Sequence, residues 1–335
     1  MANDSTIKKA TVVFLVGEAS RFARGEITQQ SYRMAVSRAN GLIAEHFSVM
    51  ALHEIDTEKI ERFWDCLAGR NLRSTTIKAY MVVLKKILQV AVRQRWIESL
   101  PRFPIVRTEL NPRGHFTVAE YKALLRCAKA LREEHIAHPP NHRSSRGGIY
   151  TATNGVPWEL VWLIGFMVNS FIRPVDARII QHKHVDIIRN GHCYLRLRLP
   201  ETKRHRNQVI TLPAAVHIYE ALKRYFAAGS LAGPQDYLFF PHVKDRECVT
   251  WLMDHYFGKV LDATGLRLGQ RGQRRTLYSL RHSSITFRLL YGEGIDLLTL
   301  ARNARTSLEM VDKFYASELS AEMNVRMLHS RRSSG

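Results

Sequence analysis

The chain has 335 residues and carries 50 lysines and arginines against 30 aspartates and glutamates, a formal net charge of +20. Hydrophobic residues make up 45% of it, which is enough to bury real cores and excludes a disordered basic tail. A positive excess of this size favours a polyanionic partner such as nucleic acid, and the length favours two domains over one.

Membrane and metal signals are weak along the chain. Residues 1–9 are polar, and the apolar stretch 11–16 is too short for a secretory signal. The longest apolar run, residues 158–168, falls short of the ~20 residues that span a bilayer, so we expect a buried helix there and no membrane partner. The four cysteines are widely scattered, which favours neither disulfides nor a zinc site and predicts a reducing, cytoplasmic setting: Cys66, Cys127, Cys193 and Cys248.

The first hundred residues predict a compact set of amphipathic helices. Asp56 is a plausible N-cap for a helix that Gly69 ends, since apolar residues recur between them at helical spacing. Ser74 is expected to cap a longer helix with one apolar and one basic face.

A proline-containing segment follows and cannot continue a helix. We predict an interdomain linker at residues 106–115, between a helical first domain at 1–105 and a second domain at 116–335. Thr117 and Glu120 form a capping-box pair, so the second domain should open with a helix.

Strand patterns are few and lie close together. Residues 193–199 alternate in apolar character and 208–212 are β-prone, with the polar stretch 201–207 between them, which predicts a hairpin with a basic tip. Residues 138–157 have the composition of an exposed loop. The remaining segments fit helices, at 213–226, 248–261, 278–291, 307–316 and, more briefly, 321–328. The predicted fold is mainly α with a small antiparallel sheet (α+β).

Basic residues at three places are predicted to contact DNA. They are Lys78, Lys85, Lys86 and Arg93 on the helix after Ser74, Arg204 and Arg206 on the hairpin tip, and Arg274 and Arg275 ahead of the helix at 278–291. For the lysines of the first domain, a solvated helix face is an equally good interpretation.

The second domain contains the parts needed to cleave a phosphodiester without a metal: a nucleophile, positive charge on the non-bridging oxygens and an acid for the leaving oxygen. Arg173 and Arg281 supply rigid, permanently charged forks, and Asp176 is placed to orient the first of them. Lys203 on the hairpin tip is a candidate proton donor, and Tyr315 a candidate nucleophile.

These residues resemble the motifs of the tyrosine recombinases, also called phage integrases. The first motif is Asn169-Ser-Phe-Ile-Arg-Pro-Val-Asp176, the second Tyr278-Ser-Leu-Arg-His282, and the third runs from Asn303 to Tyr315. Each string is weak alone, but their order and spacing fit the family together. The resemblance covers residues 116–315 and extends to the helical first domain by position and character.

The resemblance implies that Arg173 and Arg281 clamp the scissile phosphate, Lys203 is the general acid and Tyr315 forms a 3′-phosphotyrosyl link, with no metal or cofactor. It implies a core-binding role for the first domain and double-stranded DNA as the partner, hence a nucleoid-associated protein. It also implies a tetramer in the synaptic complex and allows accessory DNA-bending or directionality proteins. The tail from about residue 318 would pack on a neighbouring protomer or fold back on its own domain.

Two catalytic positions depart from the family pattern. Tyr278 stands where the second motif normally opens with histidine, and Thr306 where a histidine or tryptophan precedes the nucleophile. Both hydroxyls can donate a hydrogen bond, but neither carries a charge at neutral pH. His282 is expected to support the site, either structurally or by supplying the missing imidazole.

Two other functions therefore stay open. A catalytically impaired DNA-binding protein of the same fold, with an architectural or regulatory role, would explain Tyr278 and Thr306. A type IB topoisomerase-like strand resolvase would use the same phosphotyrosine step within one DNA molecule.

Overall fold

The structure is a computed structural model, and it describes residues 6–48, 50–105, 107, 114–132, 155–200, 208–292 and 294–315. The chain divides into two compact units, Met1–Leu110 and Asn111–Gly335, and each has its own hydrophobic core. The division falls within the predicted linker. Across the described ranges, no helix combines the length and hydropathy needed to cross a membrane.

The first unit is helical, as the amphipathic patterns predict. Its helices are α1 (Ile7–Ala23), α2 (Gln29–Arg38), which continues into a π-helical turn at Ala39–Ile43, α3 (Ala44–Phe47), α4 (Thr57–Gly69) and α5 (Ser74–Arg93). Asp56 caps α4 by accepting a hydrogen bond from the Lys59 amide at 2.9 Å. Ser74 is the first residue of α5 rather than its cap, a position that Arg73 takes in extended conformation.

The second unit packs its helices around the apolar α7. Its helices are α6 (Val118–Ala130), α7 (Trp158–Ser170), α8 (Pro174–Ile179), α9 (Ala214–Ala227), α10 (Arg246–Ala263), α11 (Tyr278–Tyr291), α12 (Leu297–Asn303) and α13 (Leu308–Tyr315). Thr117 and Glu120 form the predicted capping box at the start of α6. α7 is buried over most of its surface, as its sequence predicts.

A three-stranded antiparallel sheet lies in the second unit. Its strands are β1 (Val185–Asn190), β2 (His192–Leu197) and β3 (Val209–Ile210), in that order. β1 was not among the predicted strands, and its residues show no clear alternation of burial. β3 is shorter than predicted, and the Asn303 side chain pairs with both backbone groups of Ile210, which ties the end of α12 to this strand.

Three predicted features lie outside the described residues. They are the tip of the hairpin at 201–207, the helix at 321–328 and the loop at 138–157 apart from its last residues, 155–157. The mainly α fold with a small antiparallel sheet is confirmed.

Candidate active site

Arg173 is placed by the junction between two helices. α7 ends at Ser170, its C-cap Phe171 is in left-handed conformation (φ 58°), and Pro174 opens α8 three residues after Phe171. The Arg173 amide donates to Asp176 Oδ2 at 2.9 Å, and Arg173 Nη1 lies 4.0 Å from the same oxygen. The Arg173 side chain keeps 19% of its surface exposed, whereas Asp176 is buried. Asp176 therefore both caps α8 and faces the guanidinium of Arg173.

Arg281 lies in the first turn of α11 and is almost completely buried. Its Nη1 donates to the carbonyl of Phe171, and its Nη2 donates to the carbonyl of Ala304 at 2.5 Å. Burial lowers the pKa of Arg281, and the neighbouring charge of Arg173 acts in the same direction. Arginine nevertheless stays protonated in proteins, so this buried group remains a fixed positive charge.

The turn between α12 and α13 connects the two arginines. The carbonyl of Ala304 accepts from Arg281, and the carbonyl of the next residue, Arg305, accepts from Nη2 of Arg173. Thr306 follows in the same turn, half-buried, with its amide bonded to the Ala301 carbonyl at 3.0 Å. The segment that leads into the predicted nucleophile is thus held by both guanidinium groups.

Tyr315 lies at the end of α13 and contacts the residue that follows Arg281. Its phenolic oxygen is 2.7 Å from Nδ1 of His282, and both side chains are buried. Burial raises the pKa of Tyr315 well above its ordinary value, while the charge of Arg281 opposes this shift. The phenol is therefore protonated at neutral pH and already lies within hydrogen-bond distance of an imidazole.

Tyr278 and Arg173 line a cleft of about 620 Å³ beside this cluster. The lining of the cleft also includes apolar, basic and acidic residues: Val175, Phe257, Leu277, Arg267, Arg274, Arg275 and Asp254. The Tyr278 ring lies 5.2 Å from the His282 ring, so one edge of Tyr278 adjoins the imidazole that contacts the nucleophile. Arg267 pairs with Asp262 and Arg275 with Glu120, so Arg173 and Arg274 carry the positive charge that this cleft can offer to a phosphate backbone.

The other predicted DNA contacts divide into three groups. Lys78, Lys85 and Arg93 are exposed on α5, whereas Lys86 is half-buried with its Nζ 3.5 Å from Glu18. Arg274 is exposed at the cleft. Lys203, Arg204 and Arg206 lie outside the described residues, so their predicted roles stay predictions.

Arg275 requires a correction. Its guanidinium is only 4% exposed and donates to both Glu120 oxygens, at 2.9 and 2.8 Å, and to the His115 carbonyl at 3.1 Å. It also lies over the Phe116 ring at 4.8 Å. Arg275 therefore joins α6 to the segment before α11, and its donors are directed at the protein rather than at DNA.

Arg305 was missed by the sequence analysis. It lies within the third motif, and the structure buries it beside Asp176. A usable signal was present, because an arginine within a short turn next to a predicted catalytic position adds a third cation to the site.

Comparison with known proteins agrees with this fold. Residues 24–105 match the family model of the phage integrase SAM-like domain. No curated protein matches the chain. Among solved structures, a lambda integrase tetramer bound to a Holliday junction is similar, with a TM-score of 0.65 and 16% identity over 91% of this chain and 79% of that one.

Two further solved structures have the same fold. The Tn1549 transposon integrase in complex with transposon right end DNA gives a TM-score of 0.64 and 13% identity, over 96% of this chain and 98% of that one. The XerH site-specific recombinase bound to a palindromic difH substrate gives a TM-score of 0.57 and 16% identity, over 89% of this chain and 75% of that one. The resemblance to tyrosine recombinases, inferred from motifs, is confirmed at the level of the fold.

Proposed function

We propose that this chain is a tyrosine recombinase that cleaves and rejoins double-stranded DNA at specific sites through a 3′-phosphotyrosyl intermediate. The observation that carries this proposal is the convergence of Arg173 from the α7–α8 junction, Arg281 from α11 and Tyr315 from α13 on one cluster with His282. The SAM-like match in the first unit and the fold of the whole chain support the same function.

Arg173 and Arg281 are proposed to bind the non-bridging oxygens of the scissile phosphate. Each guanidinium has five N–H donors. Arg173 Nη2 and both terminal nitrogens of Arg281 also hold backbone carbonyls, so the forks are oriented before DNA arrives. Such preorganisation is what stabilises charge that develops in a transition state. Because Arg281 and Tyr315 are nearly closed to solvent, phosphate entry requires α13 to shift outward.

His282 is proposed to accept the phenolic proton as Tyr315 attacks. The raised pKa of Tyr315 makes an acceptor necessary at neutral pH, and Nδ1 of His282 is the nitrogen at 2.7 Å. The new bond joins the tyrosine oxygen to phosphorus, and the bond from phosphorus to the 5′ oxygen breaks. Lys203 is proposed to protonate that leaving oxygen, with Tyr278 and Thr306 donating hydrogen bonds to the phosphoryl group.

Strand exchange, rather than hydrolysis, is the proposed outcome. The phosphotyrosyl bond keeps the energy of the bond that was cleaved, so a 5′ hydroxyl from a partner strand can displace Tyr315 and restore the DNA. We propose that four protomers act together on two DNA sites, in the cytoplasm and on the nucleoid. The similar fold of lambda integrase, which was solved as a tetramer bound to a Holliday junction, supports this arrangement.

A trapping experiment tests this function. The protein is incubated with a pool of nicked duplexes of randomised sequence around the nick, so that cleavage releases a short fragment and cannot be reversed. The expected result is a covalent adduct that resists detergent and is lost in Tyr315→Phe. Tyr291→Phe is the matched control, since Tyr291 is exposed at the end of α11. An adduct that persists in Tyr315→Phe contradicts the proposal.

A catalytically impaired DNA-binding protein is the second candidate. The observation that favours it is that Tyr278 stands where the family pattern has histidine, and Thr306 where it has histidine or tryptophan. Specific DNA binding without any adduct in the trapping experiment would establish it. Relaxation of a supercoiled plasmid that carries no selected site would instead indicate a topoisomerase-like resolvase.

A further inference from the structure

Two features of Arg305 are energetically unfavourable: its backbone conformation and the burial of its charged side chain. Its backbone is left-handed, with φ at 51°, a conformation that is strained for a residue with a Cβ. Its side chain is also only 2% exposed, although burying a guanidinium removes a large hydration energy. A glycine would avoid both costs, so the side chain must contribute something where it lies.

The contacts of Arg305 lead to the proposed clamp. Nη1 lies 3.6 Å from Oδ1 of Asp176, whose other oxygen accepts from the Arg173 amide. Nη2 donates to the carbonyl of Pro200 at 3.4 Å, three residues before Lys203. The backbone carbonyl of Arg305 accepts from Nη2 of Arg173. Arg305 therefore contacts Asp176, Arg173 and the segment after β2 that precedes Lys203 in the sequence.

The charge balance explains why a third cation is useful. Asp176 is 1% exposed and 4.0 Å from Arg173, and charges interact strongly where water is excluded. Without Arg305, this carboxylate would offset much of the positive potential that Arg173 presents to a phosphate. The phosphodiester carries one negative charge, and attack by the tyrosine oxygen adds negative charge to its oxygens. A cluster in which Arg305 offsets Asp176 leaves the charges of Arg173 and Arg281 for that developing charge.

We infer that Arg305 is a positioning residue for DNA cleavage: its guanidinium neutralises Asp176, while its left-handed backbone aims a carbonyl at Arg173. The inference rests on the proposed function. It assigns the two tasks to separable parts of one residue, and the guanidinium can be removed without removing the carbonyl. It also supplies a cation within the site although Tyr278 and Thr306 provide none.

The test removes the side chain but keeps the backbone conformation. Arg305→Gly suits a positive φ, so the turn and its carbonyl are retained. We expect the rate of adduct formation at saturating nicked DNA to fall roughly tenfold to a hundredfold, in the range seen for loss of one preorganised electrostatic group. DNA affinity should change by less than about twofold, because Arg305 is buried. Arg305→Lys retains the charge and should recover part of the rate.

A charge rescue separates this role from a merely structural one. Asp176→Asn in the Arg305→Gly background removes the carboxylate charge that Arg305 offset, while the amide oxygen can still accept from the Arg173 amide. We expect the double variant to cleave faster than Arg305→Gly alone. Wild-type cleavage rates in Arg305→Gly, or a double variant no faster than the single one, would overturn the inference.

The same assay distinguishes failure of the inference from failure of the function. If the wild-type chain forms no adduct, the proposed function fails and this inference fails with it. If the wild-type chain forms the adduct and the Arg305 variants do not behave as described, only the inference fails. Thermal unfolding of each variant confirms that it is folded. If Arg305→Gly is destabilised, the deciding comparison is the cleavage rate of Arg305→Lys, which keeps the charge, against the rates of Arg305→Gly and the wild type.

Discussion

Tyr315 and His282 form the proposed nucleophile and proton acceptor of the cleavage step. Replacing His282 by glutamine keeps a hydrogen-bonding group but removes the proton acceptor. We predict that His282→Gln slows adduct formation at neutral pH by roughly a hundredfold or more, the usual contribution of a general base. DNA affinity should be unaffected. His217→Gln, an exposed histidine on α9, is the control.

The pH dependence of the same variant gives a sharper result. The pKa of Tyr315 is raised by burial, so without His282 only the small ionised fraction of the phenol can attack. That fraction increases about tenfold per pH unit below the pKa, so the rate of His282→Gln should rise steeply across the alkaline range. A flat profile in this variant, parallel to wild type, would show that His282 does not take the proton.

At the residue scale, the sequence predicted a set of candidate side chains but not the environment of each. Arg173, Arg281 and Tyr315 were proposed because residue type, order and spacing agree with one chemistry. Arg275 was wrongly predicted to contact DNA, because residue type alone does not reveal that a side chain is buried. Its partner Glu120 lies 155 residues earlier in the sequence. Arg305 was missed for the same reason: its contact with Asp176 arises only when α8 and the turn after α12 come together.

Arg275 and Glu120 hold two elements of the second unit together. Hydrogen bonds from Arg275 and from the Thr117 amide outweigh burial and hold the pKa of Glu120 below its usual value. Arg275 is buried and Glu120 half-buried, so removing the arginine leaves a carboxylate that is uncompensated and only partly solvated. We predict that Arg275→Met lowers the free energy of unfolding by roughly 3 kcal/mol, measured by urea denaturation. Arg274→Met, one residue earlier and exposed, should leave stability within about 0.5 kcal/mol and affect only DNA binding.

Glu159 in the first turn of α7 predicts a pH-dependent stability. Burial raises the pKa of its carboxyl from 4.5 to about 7, and His242 Nδ1 lies 3.9 Å from Oε1. Since the unfolded chain ionises at lower pH, the stabilising effect of the neutral form is fully present below about pH 4.5 and is lost as pH rises to about 7.

The corresponding measurement is urea denaturation of wild type and Glu159→Gln across this pH window. Wild type should lose up to about 3 kcal/mol more than the variant between the two ends, the equivalent of the pKa shift. Equal pH dependence in both proteins would contradict the assignment to Glu159.

At the element scale, local signals predicted more than long-range ones. The caps at Asp56 and Thr117 and the apolar pattern of α7 placed helices correctly, because these signals act within one or two turns of the chain. β1 was missed because its pairing with β2, rather than its own pattern, makes it a strand. β3 was predicted too long, and part of its pairing comes from the Asn303 side chain, which no local pattern of the strand reveals.

The whole molecule carries a charge of +20, which predicts that DNA binding weakens steeply with salt. Lys78, Lys85 and Arg93 are exposed on one face of α5, which lies within the SAM-like match. We predict that their combined replacement by alanine lowers the slope of log affinity against log salt by up to about three, near 0.9 for each phosphate contact. Fluorescence anisotropy on labelled duplex measures this slope.

A control for that variant is Arg62→Ala, which removes an exposed cation that pairs with Glu58 on α4. Its salt slope should equal that of wild type. If the triple variant also keeps the wild-type slope, the face of α5 is a solvated surface, the alternative interpretation of these residues, and DNA contact must come from other basic positions.

The proposed recombinase function requires a covalent bond between Tyr315 and DNA. The direct measurement is to trap the adduct on nicked duplex, digest protein and DNA, and identify the modified peptide by mass spectrometry. The account predicts a nucleotide joined through its 3′ phosphate to the peptide that contains Tyr315, and no such peptide from Tyr315→Phe. Attachment to a different residue, or strand exchange by Tyr315→Phe at the wild-type rate, would contradict it.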